Sequence, residues 1–309
     1  MTVEKRGKVV KGLGGLYEVR LGPQERITAR AKGVLKRDEE KLHIGDNVVL
    51  QIDEDTPDGI VISEICERKN SLIRPPLANL DYIFIVFAAK KPTPVIETVD
   101  KLLSIAVYNG ITPVIVVTKS DISNSDAKIY ADIYKSSGFD VFVTSSFNKD
   151  GLAELENYIK ENLRLGKTAA FAGASGVGKS TLMNALFPNL ALETAEISKK
   201  IERGRHTTRH VEIFDIEDSE ETGFLADTPG FSLIDFSRFD FFSLSDLEST
   251  FPDFLRYKGK CRYADCTHVG ESRDECALMS AVLAGEIPES RLNSYREIYK
   301  VLKAKKNYE

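Results

Sequence analysis

The chain has 309 residues, 42 Lys and Arg against 47 Asp and Glu, a formal net charge of −5, and 42% hydrophobic content. This is an ordinary soluble globular composition, long enough for two or three domains. The start, "MTVEKRGKVV", has no apolar core of signal-peptide length, and the longest apolar runs, such as "YIFIVFAA" over 82–89, are too short to span a bilayer. A cytoplasmic protein with no membrane partner is therefore expected.

Residues 1–68 read as short strands separated by turns. "GKVVKG" and "LYEVRL" flank "LGG", a hairpin signal, and "ITARAKGVL", "DNVVLQID" and "GIVISEIC" follow. Five short strands in this length predict a small closed β-barrel, of the OB-fold or SH3-like kind. Residues 1–37 hold ten Lys or Arg against three Glu, a local excess of +7. Such an excess is either a solvated face or an electrostatic footprint for nucleic acid. "KNSLIRPPLAN" reads as a linker, because Pro75 and Pro76 continue neither kind of element.

From about Leu80, strand patterns ("YIFIVFAA", "TPVIVVTK", "DVFVTSS", "KTAAFAG", "TGFLADTPG") alternate with helical ones ("ETVDKLLSIAVYN", "SDAKIYADIYKSSG", "GLAELENYIKENL", "GKSTLMNALF"). That alternation predicts an α/β domain over 69–235, with a parallel sheet and helices on both faces. Residues 236–309 turn polar and mainly helical. They end in a predicted helix with Leu292, Tyr295, Ile298 and Leu302 on one face.

"GASGVGKS" from Gly173 to Ser180 fits the phosphate-binding loop G-x-x-x-x-G-K-[ST], between a predicted strand and a predicted helix. The backbone N–H groups of Gly173, Ala174, Ser175, Gly176, Val177 and Gly178 can face phosphate oxygens, helped by the positive end of the helix that carries Lys179, Ser180 and Thr181. Lys179 would reach the β- and γ-phosphates, and Ser180 would hold Mg²⁺. In "LADTPG", Asp227 would hold Mg²⁺ through water and the Gly230 N–H would meet the γ-phosphate.

The base is set by "TKSD". Asp121 at a strand end can accept from guanine N1–H and N2–H₂, which adenine does not offer, and the Lys119 stem can cover the ribose and base. Thr118 stands where GTPases usually carry Asn. Ser145 and Ser146, in "TSS" at the next strand end, would close over the base. GTP and GDP are the expected ligands.

Three cysteines and a histidine fall in the pattern C-x₄-C-x-H-x₇-C: Cys261, Cys266, His268 and Cys276. Four such ligands with no open position suit one structural Zn²⁺ per chain. In the switch "GRHTTR", Thr207 or Thr208 would bind Mg²⁺. Phe231 follows D-x-x-G where Ras-like enzymes place a water-orienting Gln. A phenyl ring cannot orient water, so His206 is the candidate for that catalytic role.

The motif order is base reader, base loop, phosphate loop, "GRHTT", "DTPG", the usual GTPase order rotated. The chain resembles the circularly permuted GTPases, and more closely the ribosome small-subunit-dependent GTPase A family, over nearly its whole length. The resemblance implies an N-terminal OB-fold that binds RNA, a permuted GTPase domain and a C-terminal zinc module. It also implies a late-acting assembly factor that binds the 30S subunit and its 16S rRNA as a monomer, with GTP hydrolysis stimulated by that subunit. Two other readings remain open at this point: a nucleotide-gated RNA-binding protein with negligible hydrolysis, and a P-loop ATPase in which "TKSD" is only a helix cap.

Overall fold

The "LGG" turn forms the predicted hairpin. Strands β1 (Thr2–Leu13) and β2 (Leu16–Gly22) pair antiparallel from Leu13↔Leu16 back to Lys8↔Arg20. Gly14 and Gly15 take φ of 60° and 83°, the pair of positive values that a tight right-twisted hairpin needs. The computed structural model describes residues 2–32, 41–53, 59–190, 211–217, 219–228 and 235–306. It falls into two compact units: Met1–Tyr82 with Leu155–Phe171 and Ser180–Phe231, and Ile83–Glu154 with Ala172–Lys179 and Ser232–Glu309.

In the first unit, β3 (Glu25–Ala31), β4 (Asn47–Asp53) and β5 (Ile60–Ile65) complete a ring with β1 and β2. β1 pairs with both β2 and β4, β2 with β3, β3 with β5 in parallel, and β5 with β4. A five-stranded ring closed in this order has no free edge and is the OB-type solution. Its core is Val9, Val19, Ala29, Val48, Leu50 and Ile62, each 2% exposed or less. A bulge in β1 between Val9 and Lys11 breaks the alternation, so that Val9 and Val10 are both fully buried.

The stretch expected to be a linker is instead an ordered hairpin, β6 (Ser71–Leu72) with β7 (Leu77–Ala78), whose Leu72, Leu77 and Ala78 are buried. Two asparagine side chains close it. Asn70 Oδ1 accepts from Leu80 N while its amide donates to Leu80 O, and Asn79 Oδ1 accepts from Lys69 N. These bonds satisfy backbone groups of Lys69 and Leu80 just outside the short ladder.

A strand without a sequence signal, β12 (Glu212–Asp215), lies beside β13 (Phe224–Asp227) and runs antiparallel to it. β13 in turn runs parallel to β11 (Thr168–Ala172). The expected all-parallel sheet is thus mixed. β12 also pairs with β1 at Lys11↔Glu212, so the barrel and these α/β strands share one sheet, in the order β11–β13–β12–β1–β2–β3–β5–β4. Lys11 pairs with Glu212 at 2.8 Å, Arg20 pairs with Asp215, and both Lys8 and Arg20 lie over the Phe224 ring, at 5.4 and 5.0 Å.

In the second unit, β10 (Asp140–Val143) runs parallel to β9 (Thr112–Thr118), which neighbours β8 (Tyr82–Ala88). Six of the seven β8 residues are buried, as expected of a strand covered on both faces. Helices α1 (Ile96–Tyr108) and α2 (Asn124–Ser136) follow β8 and β9, and α2 is N-capped by Ser123. In chain order, helix α3 (Leu152–Asn162) follows β10 and α4 (Lys179–Leu186) follows β11; from Leu155 and from Ser180 onward these helices belong to the first unit. The C-terminal region consists of 3₁₀ stretches at Leu244–Thr250 and Leu255–Tyr257, then α5 (Ala277–Leu283) and α6 (Glu289–Lys306). The predicted face of α6 is correct: Leu292, Tyr295, Ile298 and Leu302 are all buried. Arg291, also on α6, is fully buried and bonds Asp100 of α1 and Asp253. Among the described residues, no helix is long and apolar enough to cross a membrane.

Candidate nucleotide-binding site and metal centre

The phosphate-loop sequence leaves β11 at Gly173, whose φ is 147° and where an added Cβ would lie 2.0 Å from the Val86 carbonyl oxygen. Only glycine fits that close approach. Lys179 opens α4, and its ammonium donates back to the carbonyls of Gly173 at 2.6 Å and Ala174 at 3.0 Å, which draws the loop into a ring. Ala174, Ser175 and Gly176 are exposed at the crown, Val177 is buried beneath it, Ser180 is half-buried and Thr181 exposed.

The end of β9 is seated on this loop. The Thr118 hydroxyl, 4% exposed, donates to Val177 O at 2.6 Å and lies 3.2 Å from Phe87 O. Lys119 adopts φ of 58°, and its ammonium donates to Gly176 O and Lys91 O, each at 2.7 Å. Thr118 and Lys119 therefore reach the loop backbone. Asp121 beyond them is exposed, and the fully buried Ser145 donates its hydroxyl to Asp121 Oδ1 at 2.6 Å. Ser145 Oγ also accepts from Asn148 N at 3.1 Å, which ties the turn after β10 to the same carboxylate.

In the other unit, Asp227 ends β13 half-buried, and the buried Thr228 beside it donates to Phe171 O at 2.8 Å. His206, Thr207, Thr208, Gly230 and Phe231 lie outside the described residues.

Cys261, Cys266, His268 and Cys276 come together, with their ligand atoms all within 4.8 Å of one another. The three sulfurs stand 3.7, 3.4 and 3.3 Å from His268 Nδ1. A tetrahedral zinc with ordinary Zn–S and Zn–N lengths separates sulfur from nitrogen by about 3.6 Å. The donor set thus fits zinc, with Nδ1 as the nitrogen ligand. Burial pushes the Cys266 thiol up to about 12 and the Cys276 thiol upward as well. A zinc ion, when bound, would supply the charge that holds Cys266 and Cys276 as thiolates.

The RsgA GTPase family model matches residues 65–237, and the model for the RsgA N-terminal domain matches residues 6–61. The chain belongs to the RsgA GTPase family. The Small ribosomal subunit biogenesis GTPase RsgA of Geobacillus kaustophilus is 38% identical over 305 residues, 97% of this chain and 98% of that protein. The protein of the same name from Bacillus subtilis is 37% identical over 308 residues, 97% of this chain and 98% of that one. The structure superposes on that of YloQ, a circularly permuted GTPase, with a TM-score of 0.74 and 32% identity, covering 98% of this chain and 96% of that one. YjeQ from Thermotoga maritima gives 0.76 and 30%, covering 97% and 99%.

The RsgA-type site also contains residues that the motifs did not mark. Glu248 Oε1 lies 3.8 Å from His268 Nε2, the ring nitrogen that faces away from the sulfurs. A carboxylate facing that nitrogen is the usual outer partner of a metal-ligating histidine, and at 3.8 Å it acts on the ring through its charge rather than a direct hydrogen bond. Glu271 organises the long His268–Cys276 spacer. Burial opposes its charge, yet N–H groups of Thr267 and Gly270, its own N–H and the Thr267 hydroxyl hold its carboxyl down to about 2. Neither residue has a spacing signal, because each acts through a fold contact. The Ser145–Asp121 bond was within reach of the sequence, since both residues fall at the ends of adjacent predicted strands.

Proposed function

We propose that this chain is a GTP hydrolase of small ribosomal subunit biogenesis, which binds the 30S subunit and its 16S rRNA in the cytoplasm as a monomer, with turnover stimulated by the subunit. The observation that carries this reading is the pair of bonds from Thr118 to Val177 O and from Lys119 to Gly176 O, across separations of 59 and 57 residues. They join a base-reader motif and a phosphate-loop motif that stand in inverted chain order, and full-length relatives of 37–38% identity carry the matching name. What favours guanine over adenine is the Asp121 carboxylate held by the Ser145 hydroxyl, since adenine offers no matching pair of donors.

In this reading Asp121, oriented by Ser145, accepts from guanine N1–H and N2–H₂. Lys119 covers the base and ribose, Ser146 closes beside it, and Thr118 holds the loop beneath it. The N–H groups from Gly173 to Gly178, with Lys179 and Thr181, bind the phosphates. Ser180, Asp227 and Thr207 or Thr208 would hold Mg²⁺, which offsets phosphate charge when bound. Gly230 senses the γ-phosphate, and His206 orients the attacking water in place of the Gln that Phe231 displaces. One structural zinc on Cys261, Cys266, His268 and Cys276 holds a C-terminal module of 236–309, next to a GTPase domain of 69–235. The barrel of 1–68 supplies basic, sequence-independent attraction to rRNA.

The test is GTP turnover with and without purified 30S subunits, for wild type and His206→Ala. We expect slow turnover alone, marked stimulation by 30S, and loss of most of the stimulation in the variant with GTP binding intact. Stoichiometric GTP binding without turnover on 30S would refute the hydrolase reading. Full stimulation in His206→Ala would refute only the histidine assignment.

A further inference from the structure

Four charged residues stand in one row across four strands. Glu18 of β2 lies directly opposite Lys11 of β1, Lys11 opposite Glu212 of β12, and Glu212 opposite Asp227 of β13. Residues directly opposite on antiparallel neighbours point to the same face, with Cβ atoms about 4.5–5.5 Å apart. The bulge between Val9 and Lys11 puts Lys11, rather than Val10, opposite Glu18 and so brings a cation into the row. All four residues belong to the first compact unit, as does Ser180.

Glu18 is engaged by Arg26 Nη1 at 3.0 Å, and the Lys11 ammonium donates instead to Glu212 Oε2 at 2.8 Å. Glu212 therefore stands between a cation on the barrel and a second carboxylate at the end of β13. Carboxylates directly opposite each other repel unless positive charge faces them. Lys11 supplies part of that charge. In the reading above Asp227 holds Mg²⁺ with Ser180, and a carboxylate and a hydroxyl are the hard oxygen donors that suit this ion. An ion pair that only pinned β12 to β1 would serve equally well beside an apolar residue. Here it stands beside the carboxylate that the reading gives to the metal.

We propose that Glu212 is a positioning residue of the Mg²⁺ site: its negative charge, restrained by Lys11, strengthens the hold of Asp227 on the ion that accompanies the nucleotide. The barrel thereby contributes to the cation site through Lys11. The proposal rests on the Mg²⁺ reading of Asp227 and adds two residues that no nucleotide-binding motif contains.

The test is the Mg²⁺ concentration that half-saturates binding of the slowly hydrolysed analogue GTPγS to the full-length protein. Glu212→Gln keeps the shape and removes the charge, and should raise that concentration about three- to tenfold. Lys11→Met frees the Glu212 charge and should lower it by a similar factor, whereas Lys11→Arg should leave it unchanged. Both Glu212→Gln and Lys11→Met break the same ion pair, so the opposite signs separate this role from a structural one. A pair that only fastens the strands would lower the melting temperature in both variants and shift the Mg²⁺ requirement in neither, or in the same direction in both. Either result overturns the proposal and leaves the Mg²⁺ reading of Asp227 intact. Wild-type binding of GTPγS that does not depend on Mg²⁺ would overturn that reading itself, and the proposal with it.

Discussion

The Thr118 hydroxyl donates to the Val177 carbonyl at 2.6 Å, joining the end of the base-reading strand to the floor of the phosphate loop. Thr118→Val keeps the shape and removes the donor, which leaves a buried carbonyl short of a partner. A loss on the order of 1–3 kcal/mol is expected in the loop conformation that binds phosphate. GTP and GDP should both bind about tenfold more weakly, with the preference for guanine over adenine unchanged because Asp121 is untouched. Equilibrium titration with GDP and ADP checks this, and an unchanged GDP affinity would show that the loop does not depend on the bond.

Asp121→Asn replaces one carboxylate oxygen with an amide donor, which opposes guanine N2–H₂. GTP affinity should fall by about 100-fold or more, and xanthosine triphosphate, whose C2 carbonyl is an acceptor in place of that amine, should gain. Ser145→Ala should have a smaller effect of the same kind, since it frees the carboxylate held at 2.6 Å without removing it. Competition binding with the two nucleotides separates these outcomes.

Protein purified without added metal should contain about one equivalent of zinc, measured by elemental analysis. Cys266→Ser should lose it. Glu248→Gln should keep all four ligands but release zinc to a chelator at roughly 10- to 100-fold lower competitor strength, as expected when the outer partner of a ligating histidine is weakened. Wild-type retention in Glu248→Gln would mean that the 3.8 Å approach to His268 is incidental.

Arg291 is buried between Asp100 and Asp253, bonded to the first through Nη1 and to the second through Nε and Nη2. Arg291→Met leaves two buried carboxylates without their cation, and a loss of about 3–5 kcal/mol is expected in urea unfolding. Replacing all three by apolar residues of similar volume should cost far less, since no charge then stays uncompensated. A single variant within about 1 kcal/mol of wild type would contradict this account.

Burial holds the Lys8 ammonium down to about 8 from its ordinary 10.5, partly offset by Asp81 and Asp46. Between those values the unfolded chain binds more protons than the folded one, so this residue makes stability rise with pH across that window. Below pH 8 the penalty is fully present. Lys8→Met should therefore be more stable than wild type at pH 7 by roughly 1–3 kcal/mol, with the advantage shrinking as pH approaches 10. Parallel denaturation curves at the two pH values read the difference directly. A pH-independent gap would remove Lys8 from the explanation.

Short-range signals in the sequence determined the elements whose geometry is itself short-range. The paired glycines at 14–15 dictate a hairpin because two successive positive φ values suit few other residues. Glycine at 173 and lysine at 179 dictate a phosphate loop because backbone approach and charge are set within eight residues, and the Cys/His spacing dictates a metal cluster because its ligands lie within 16 residues. Tertiary structure alone decided what depends on distant partners. β12 is four residues long and carries no periodicity, yet it joins the barrel to the α/β strands through Lys11 and Glu212, 201 positions apart. Arg291 falls on an amphipathic helix where a cation reads as solvated, and only Asp100, 191 positions away, makes its burial possible. Thr118 stands where GTPases usually carry Asn, and only the fold brings the Val177 carbonyl, 59 positions away, to its hydroxyl. In each case the stabilising group is a hydrogen-bond or ionic partner brought within reach by folding, and a local pattern of side chains contains no information about which distant residue will arrive there.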